Sequence, residues 1–545
     1  MLKLYKVLIL LLVPVITSAQ TMPKVAGEKP KLIIGINISN FRNDFLNKYW
    51  DKFDDNGFKK LVSRGTYCKN TQINYTNAEP GVGVASIITG TYPSDHGIVG
   101  QYWYNNLKGA EENCIADDKM NTVGGAYTAG KFSPKHLMST SFADEINLSQ
   151  NFKSKVYSVC LTPEESVLAG GHTADAAYWF DFEKGNFVSS TYYIDSLPNW
   201  ANDFNAKRIP DTYIEGLWEP LWPIEAYTES WADDSEYETG FNKQVTFPYE
   251  LEKISKKISR KEPYTVLNFT PYGNTLTKDF AIQIIANEEL GQDDITDVLM
   301  VSFTASKNLA PLFGPVSVEV EDLVLRLDKQ LAHFLEFIDA TVGKENTLIF
   351  LTAEQGMSHY PEYMEANKIP TGYFNAKSAN MLMKSYLSNL YGKGDWVTRF
   401  ENNQVYLDRL MIEDAKLNLV EVQNKTADFL LQFEGVANAL TASNLQSTNY
   451  TSGVFQKIQN GYNQKRSGDV IINLRKGWVE RGEWHFHGFG NENKVPLIFY
   501  GWKVGRDEIY NKVDIIDIAP TVNALLDVNA PNASRGVPIR DIIEK

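Results

Sequence analysis

PGVGVASIITGTYPSDHGIVG, residues 80–100, is the stretch from which the fold of this chain can be read. Its apolar first half suits a helix packed against a sheet. Pro80 suits the start of that helix, because the N–H it lacks is one that a helix start leaves unpaired. Gly81 and Gly83 invite comparison with a phosphate-binding loop. The Lys-Ser/Thr pair that such a loop needs is missing, so that motif is excluded.

Apolar, β-branched runs surround this segment and predict buried strands. They are residues 31–38 (KLIIGINI), 155–160 (KVYSVC), Asp297–Phe303, Thr347–Thr352 and 495–500 (VPLIFY). Between them, residues 41–63 and 317–342 carry apolar side chains at helical spacing, and residues 514–526 read as a turn followed by a helix. Strands alternating with helices predict an α/β fold, a mostly parallel central sheet with helices on both faces. Two regions break the rhythm. Residues 198–251 are rich in Trp, Tyr, Pro and acidic groups, and residues 360–467 are mixed and loop-rich. Both are read as insertions over the carboxyl edge of the sheet, where α/β proteins place their sites.

The 545 residues are 43% hydrophobic and 22% charged, as in an ordinary globular protein. Residues 1–19 read as a signal peptide: Lys3 and Lys6, then the apolar run VLILLLVPVI, then Thr17, Ser18 and Ala19 before a cleavage point. Residues 20–30 form a linker and residues 31–545 one domain. No later stretch is apolar enough to span a bilayer, so the mature chain is expected to be exported without a transmembrane segment. A periplasmic or cell-surface location is expected, with association to the outer membrane. A net charge of −14 argues against nucleic acid as a partner. Three cysteines, Cys68, Cys114 and Cys160, cannot all pair, and their spacing does not choose a disulfide.

Eight motifs in sequence order resemble the alkaline phosphatase superfamily, and in particular secreted bacterial alkaline phosphatases related to nucleotide pyrophosphatase/phosphodiesterases. They are ASIITG (85–90), GHTADAAYWFD (171–181), STYY (190–193), FGPVSVEVED (313–322), FLTAEQG (350–356), HFHG (485–488), VPLIFYG (495–501) and VDIIDIAPTVNALL (513–526). The resemblance implies an alkaline-phosphatase-like sandwich. It also implies two zinc ions that activate a nucleophile and clamp phosphoryl oxygens.

At the positions the resemblance assigns to that chemistry, this chain carries other residues. Ser39 stands where the first strand's metal-binding Asp is expected, and Pro80 where the Thr or Ser nucleophile is expected. Gln101 replaces a phosphate-contacting Asn, while Thr162 and Glu164 replace a Lys and an Arg. Lys307 and Pro311 replace an Asp and a His, and Glu354-Gln355 replaces an Asp-His pair. His487 alone matches a ligand. Glu164 would repel a phosphate where a bidentate Arg is wanted. Lys307 is expected to neutralise Glu354 across the old metal pocket. Loss of one electrostatic group commonly costs about 10²–10³-fold in rate.

These substitutions lead to the expectation of a pseudoenzyme. It would have no cofactor and would act as a binding or scaffold subunit with a protein partner in the cell envelope. The alternative is a phosphate mono- or diester hydrolase with a rearranged metal site. It would draw on Glu354, His485 and His487, with Thr76 or Ser86 in place of the nucleophile. A binder of sugars or small anions in the same cleft is a third possibility.

Overall fold

A computed structural model describes residues 28–480 and 494–544. The expected signal peptide, most of the linker, His485 and His487 lie outside the described residues.

Ten strands form one sheet. In chain order they are β1 (Leu32–Ile38), β2 (Thr66–Cys68), β3 (Thr122–Val123), β4 (Val156–Cys160), β5 (Ala176–Asp181), β6 (Asn186–Ser190), β7 (Asp297–Phe303), β8 (Thr347–Thr352), β9 (Leu497–Gly501) and β10 (Asp507–Ile509). Their order across the sheet is β10-β2-β9-β8-β1-β7-β4-β5-β6-β3. The middle of the sheet, β8-β1-β7-β4-β5, is parallel throughout, and β9 and β6 add antiparallel neighbours on either side. All residues of β1, β4, β5, β7 and β8 are buried. Burial on both faces is why these strands read as unbroken apolar runs rather than as alternation. The expected α/β fold, a mostly parallel sheet within helical layers, is present.

Helix α1 (Pro80–Thr89) starts with Pro80 at its first position and ends at Gly90, whose left-handed φ of 64° suits a residue without a Cβ. It packs on α2 (Pro163–Gly170), which also begins with a proline, directly after β4. Behind the sheet lie α3 (Pro271–Asn287) and, after β7, α4 (Ala305–Phe313) and α5 (Val318–Thr341). The Ser317 hydroxyl caps α5 by accepting the Val320 N–H at 3.1 Å.

The aromatic region 198–251 packs into the main core. Trp218 and Tyr249 are fully buried and meet Phe247, while Phe313 of α4 meets Tyr249 and Phe241. The buried carboxylate of Asp322 in α5 accepts from Trp218 Nε1 at 2.8 Å and from the Tyr227 hydroxyl at 2.6 Å. These aromatics are spent on packing. The later region has a second core, built on Phe374, Met383, Leu387, Val405, Leu407, Val422 and Leu430. Four antiparallel strands support it (Val397–Glu401, Gln404–Leu407, Val470–Leu474 and Val436–Thr441, in that order across the sheet), so this core continues to Leu474. Helix α6 (Gly453–Asn460) lies in the chain between the Val436–Thr441 and Val470–Leu474 strands, and Lys457 on it donates to the Ile73 carbonyl of the main body at 3.3 Å.

Gly83 sets how closely α1 approaches the sheet. A Cβ there would lie 2.3 Å from the Glu354 Cβ and 2.8 Å from the Glu354 carbonyl oxygen. The backbone oxygen cannot rotate away, so the helix would have to lift. Gly83→Ala is expected to destabilise the protein by about 1–3 kcal/mol, as overpacking does, when measured by chemical denaturation. Unchanged stability would show that α1 tolerates displacement.

Candidate functional site

The carboxyl ends of the parallel strands converge because their registers align. Asn37 of β1 sits opposite Ser302 of β7 and Thr352 of β8, and Ser302 sits opposite Cys160 of β4. The residues that follow these strands, Ser39, Thr162, Lys307 and Glu354, are therefore brought into one region although they are far apart in sequence. Above them opens a cleft of about 760 Å³. Its walls come from the segment leading into α1 (Thr76, Glu79) and its first residue Pro80, from α2 (Glu164, Glu165), from α4 (Lys307, Pro311), and from Gln355 and His359 after β8. The strands of the second core supply Glu401 and Asn402 as a roof, and α6 adds Lys457.

Lys307 does not pair with Glu354 as expected. Its ammonium donates to Glu165 Oε1, and the Thr162 hydroxyl donates to the other oxygen of the same carboxylate. The reason is direction. Glu165 faces α4 from the first turn of α2, whereas Glu354 is pressed beneath α1 at Gly83. Glu165 is wholly buried and the Lys307 side chain is 17% exposed. Burial works against the charge on Lys307, but Glu165 and Glu164 more than offset it and hold the ammonium above the ordinary lysine value.

Gln101 joins two neighbouring acids. Its backbone N–H donates to Glu79 Oε2, and its side-chain amide donates to Glu164 Oε1 at 2.6 Å. Burial pushes Glu79 up to about 7, with the charges of Glu401 and Glu164 adding to the shift. Burial, followed by the Glu165 charge, also raises Glu164. Pro80 presents only its ring to the cleft, and Pro311 lies inside α4. The Gln355 side chain donates to Asn40 Oδ1.

Below the cleft floor lie three buried polar groups. The Ser39 hydroxyl has no hydrogen-bond partner among the described residues, and the Asn37 amide and the Glu354 carboxyl lie within reach of each other. Burial pushes Glu354 up to about 7, and the Glu165 charge acts in the same direction. An orphaned buried group at such a point marks a place where a ligand or ion belongs. One carboxylate, one amide and one hydroxyl are nevertheless a poor set for zinc, which prefers imidazole, thiolate and several carboxylates. Among the described residues no cluster of three or more His, Cys, Asp or Glu could hold a metal ion. The described residues thus do not fit a two-zinc centre. His487, the one matched ligand, falls outside them.

The two hydroxyls considered as replacement nucleophiles separate clearly. Ser86 is fully buried. Its oxygen donates to the Val82 carbonyl at 3.0 Å and lies 2.9 Å from His96 Nε2. His96 Nδ1 accepts the Ile98 N–H, so Nε2 carries the proton and donates to Ser86. That serine is a structural link. Thr76 lines the cleft and is half-buried, with its backbone N–H bonded to the Lys457 carbonyl.

His359 was not singled out by sequence. It lines the cleft with Nε2 3.0 Å from Arg42 Nη1, and burial, then the Arg42 charge, lowers it to about 4. A neutral imidazole accepting from an arginine gives no local sequence pattern. The three cysteines are buried and are not joined in a disulfide, and among the described residues no helix is long and apolar enough to cross a membrane.

The family model for type I phosphodiesterase / nucleotide pyrophosphatase matches residues 33–493. Alkaline phosphatase PhoV of Synechococcus elongatus is 38% identical over 97% of this chain and 96% of its own length. Alkaline phosphatase PafA of Elizabethkingia meningoseptica is 36% identical over 95% of each chain. The crystal structure of wild-type PafA superposes with a TM-score of 0.90, covering 94% of this chain and 99% of that one.

These relatives correct three expectations. A catalytically inactive scaffold, and with it a protein that is not an enzyme, does not stand against full-length relatives named as alkaline phosphatases. The expected absence of a cofactor falls with them, since alkaline phosphatases use zinc. The physical fault was to equate activity with a fixed set of motif positions taken one at a time. Pro80, Gln101, Glu164, Lys307, Pro311 and Gln355 line a cleft of about 760 Å³, and His485 and His487 lie outside the described residues.

The carboxyl at Glu79 gives a pH test. Below about 7 it is neutral and above about 7 it is charged, and Glu164, Glu401 and Lys307 are the charged groups around it. The charged form repels a phosphate, so binding of inorganic phosphate is expected to weaken several-fold as pH rises through 7. Calorimetric titration of wild type and Glu79→Gln isolates this effect from the titration of phosphate itself. The variant is expected to have the flatter profile, and identical profiles would remove Glu79 from the cleft's electrostatics.

Proposed function

Because this chain belongs to the type I phosphodiesterase / nucleotide pyrophosphatase family, we propose that it hydrolyses phosphate esters in the cleft above the strand ends, with a metal site arranged differently from the family pattern. The observation that carries this is an intact cleft of about 760 Å³ at the strand ends of a chain that aligns end to end with enzymes named as alkaline phosphatases. Ser39, Pro80, Gln101, Thr162, Glu164, Lys307, Pro311, Glu354 and Gln355 are, in this proposal, the positions at which the pocket departs from that pattern. Export by residues 1–19 would place the reaction outside the cytoplasm.

Thr76 is the hydroxyl assigned to attack. It lies one helical turn of sequence before Pro80, on the same wall, and it is open to the cleft where Ser86 is not. Its oxygen would bond to phosphorus as the ester oxygen departs with a proton, and water would then release phosphate from the threonine. No step is assigned to a metal.

Initial rates with an aryl phosphate test both parts. Thr76→Val is expected to lower kcat/KM at least about 10³-fold, as loss of a nucleophile does. Pro80→Ala is expected to stay within several-fold of wild type, because Pro80 offers no reactive atom. An active Thr76→Val variant would remove the assignment of Thr76. Absence of turnover by wild type would remove the hydrolase proposal.

A further inference from the structure

We propose that Lys307 is the cation that binds an oxyanion of the phosphate ester in the cleft, an inference that rests on the hydrolase proposal above. Three elements fix its position. It sits in the first turn of α4, just past the end of β7, and its ammonium is tied to Glu165 on α2. Glu165 accepts that bond at one oxygen and the hydroxyl of Thr162, just after β4, at the other, so the carboxylate is held from both sides.

An ammonium has three N–H donors, and Glu165 takes one. Lys307 lines the cleft and keeps part of its side chain exposed, and in this proposal the two remaining donors serve an anion there. A charge anchored this way is preorganised. It loses little side-chain freedom when an anion arrives, unlike a solvated surface lysine. The roof lysine Lys457 is committed elsewhere: it donates to the Ile73 carbonyl, and burial, then the nearby Lys512, lowers it below the ordinary lysine value. Glu164 stands close by, accepts the Gln101 amide at one oxygen, and adds its charge to that of Glu165 around the ammonium. Lys307 is thus the lysine of the lining that an ion pair to a buried carboxylate holds in place among the described residues.

The test uses inorganic phosphate as the probe, titrated calorimetrically at constant pH into the full chain. Lys307→Met removes the charge but leaves Glu165 buried without its partner, which can unfold the protein. The double variant Lys307→Met/Glu165→Gln removes both charges together and keeps the measurement decisive. Loss of one charge-assisted hydrogen bond predicts binding weaker by roughly tenfold to a hundredfold in the double variant. Equal affinity of wild type and double variant for phosphate would overturn the proposal. Wild type that turns over an aryl phosphate yet binds no phosphate would overturn it too, while leaving the hydrolase proposal intact. Wild type that does neither overturns both.

Discussion

Parallel pairing of β1 with β7 on one side and β8 on the other is the constraint on which the site depends. The register fixes where each strand stops, and the residue after each stop has nowhere to go but the cleft floor. Ser39, Thr162, Lys307 and Glu354 come from four separate strand ends, and no local structure would assemble them. Once they are together, electrostatics decides the rest. Glu165 is buried completely, and an unpaired carboxylate there would cost several kcal/mol. Lys307 resolves that cost and so becomes the fixed charge of the site.

A second constraint comes from above. Gly83 lets α1 lie directly against Glu354. Ser39, Asn37 and Glu354 are buried beneath that contact. The floor is thus divided. The open cleft holds the Lys307–Glu165 pair, and the buried layer below holds the Glu354 carboxyl beside Asn37.

The fold was legible because its signals are local. Continuous β-branched runs mark strands buried on both faces, and Pro80 and Pro163 mark helices that start directly at the sheet's edge. The site was legible only in part. Pro80, Gln101, Glu164, Lys307, Pro311 and Gln355 do line one cleft, but the partner of Lys307 lies 142 residues away on another helix, and side-chain direction rather than spacing chose it. His359 escaped notice because a neutral histidine facing Arg42 carries no pattern. Ser86 looked available because its burial against His96 depends on the whole α1 packing. Inactivity was inferred from substituted motif positions, and the full-length likeness to named alkaline phosphatases overturned it.

The central claim is that this cleft converts a phosphate ester to inorganic phosphate. Phosphorus-31 NMR of a phosphomonoester incubated with the purified chain reads that conversion directly. The account predicts that the ester resonance is replaced by inorganic phosphate at a rate proportional to protein concentration. An ester resonance unchanged after prolonged incubation with a stoichiometric amount of folded protein would contradict it.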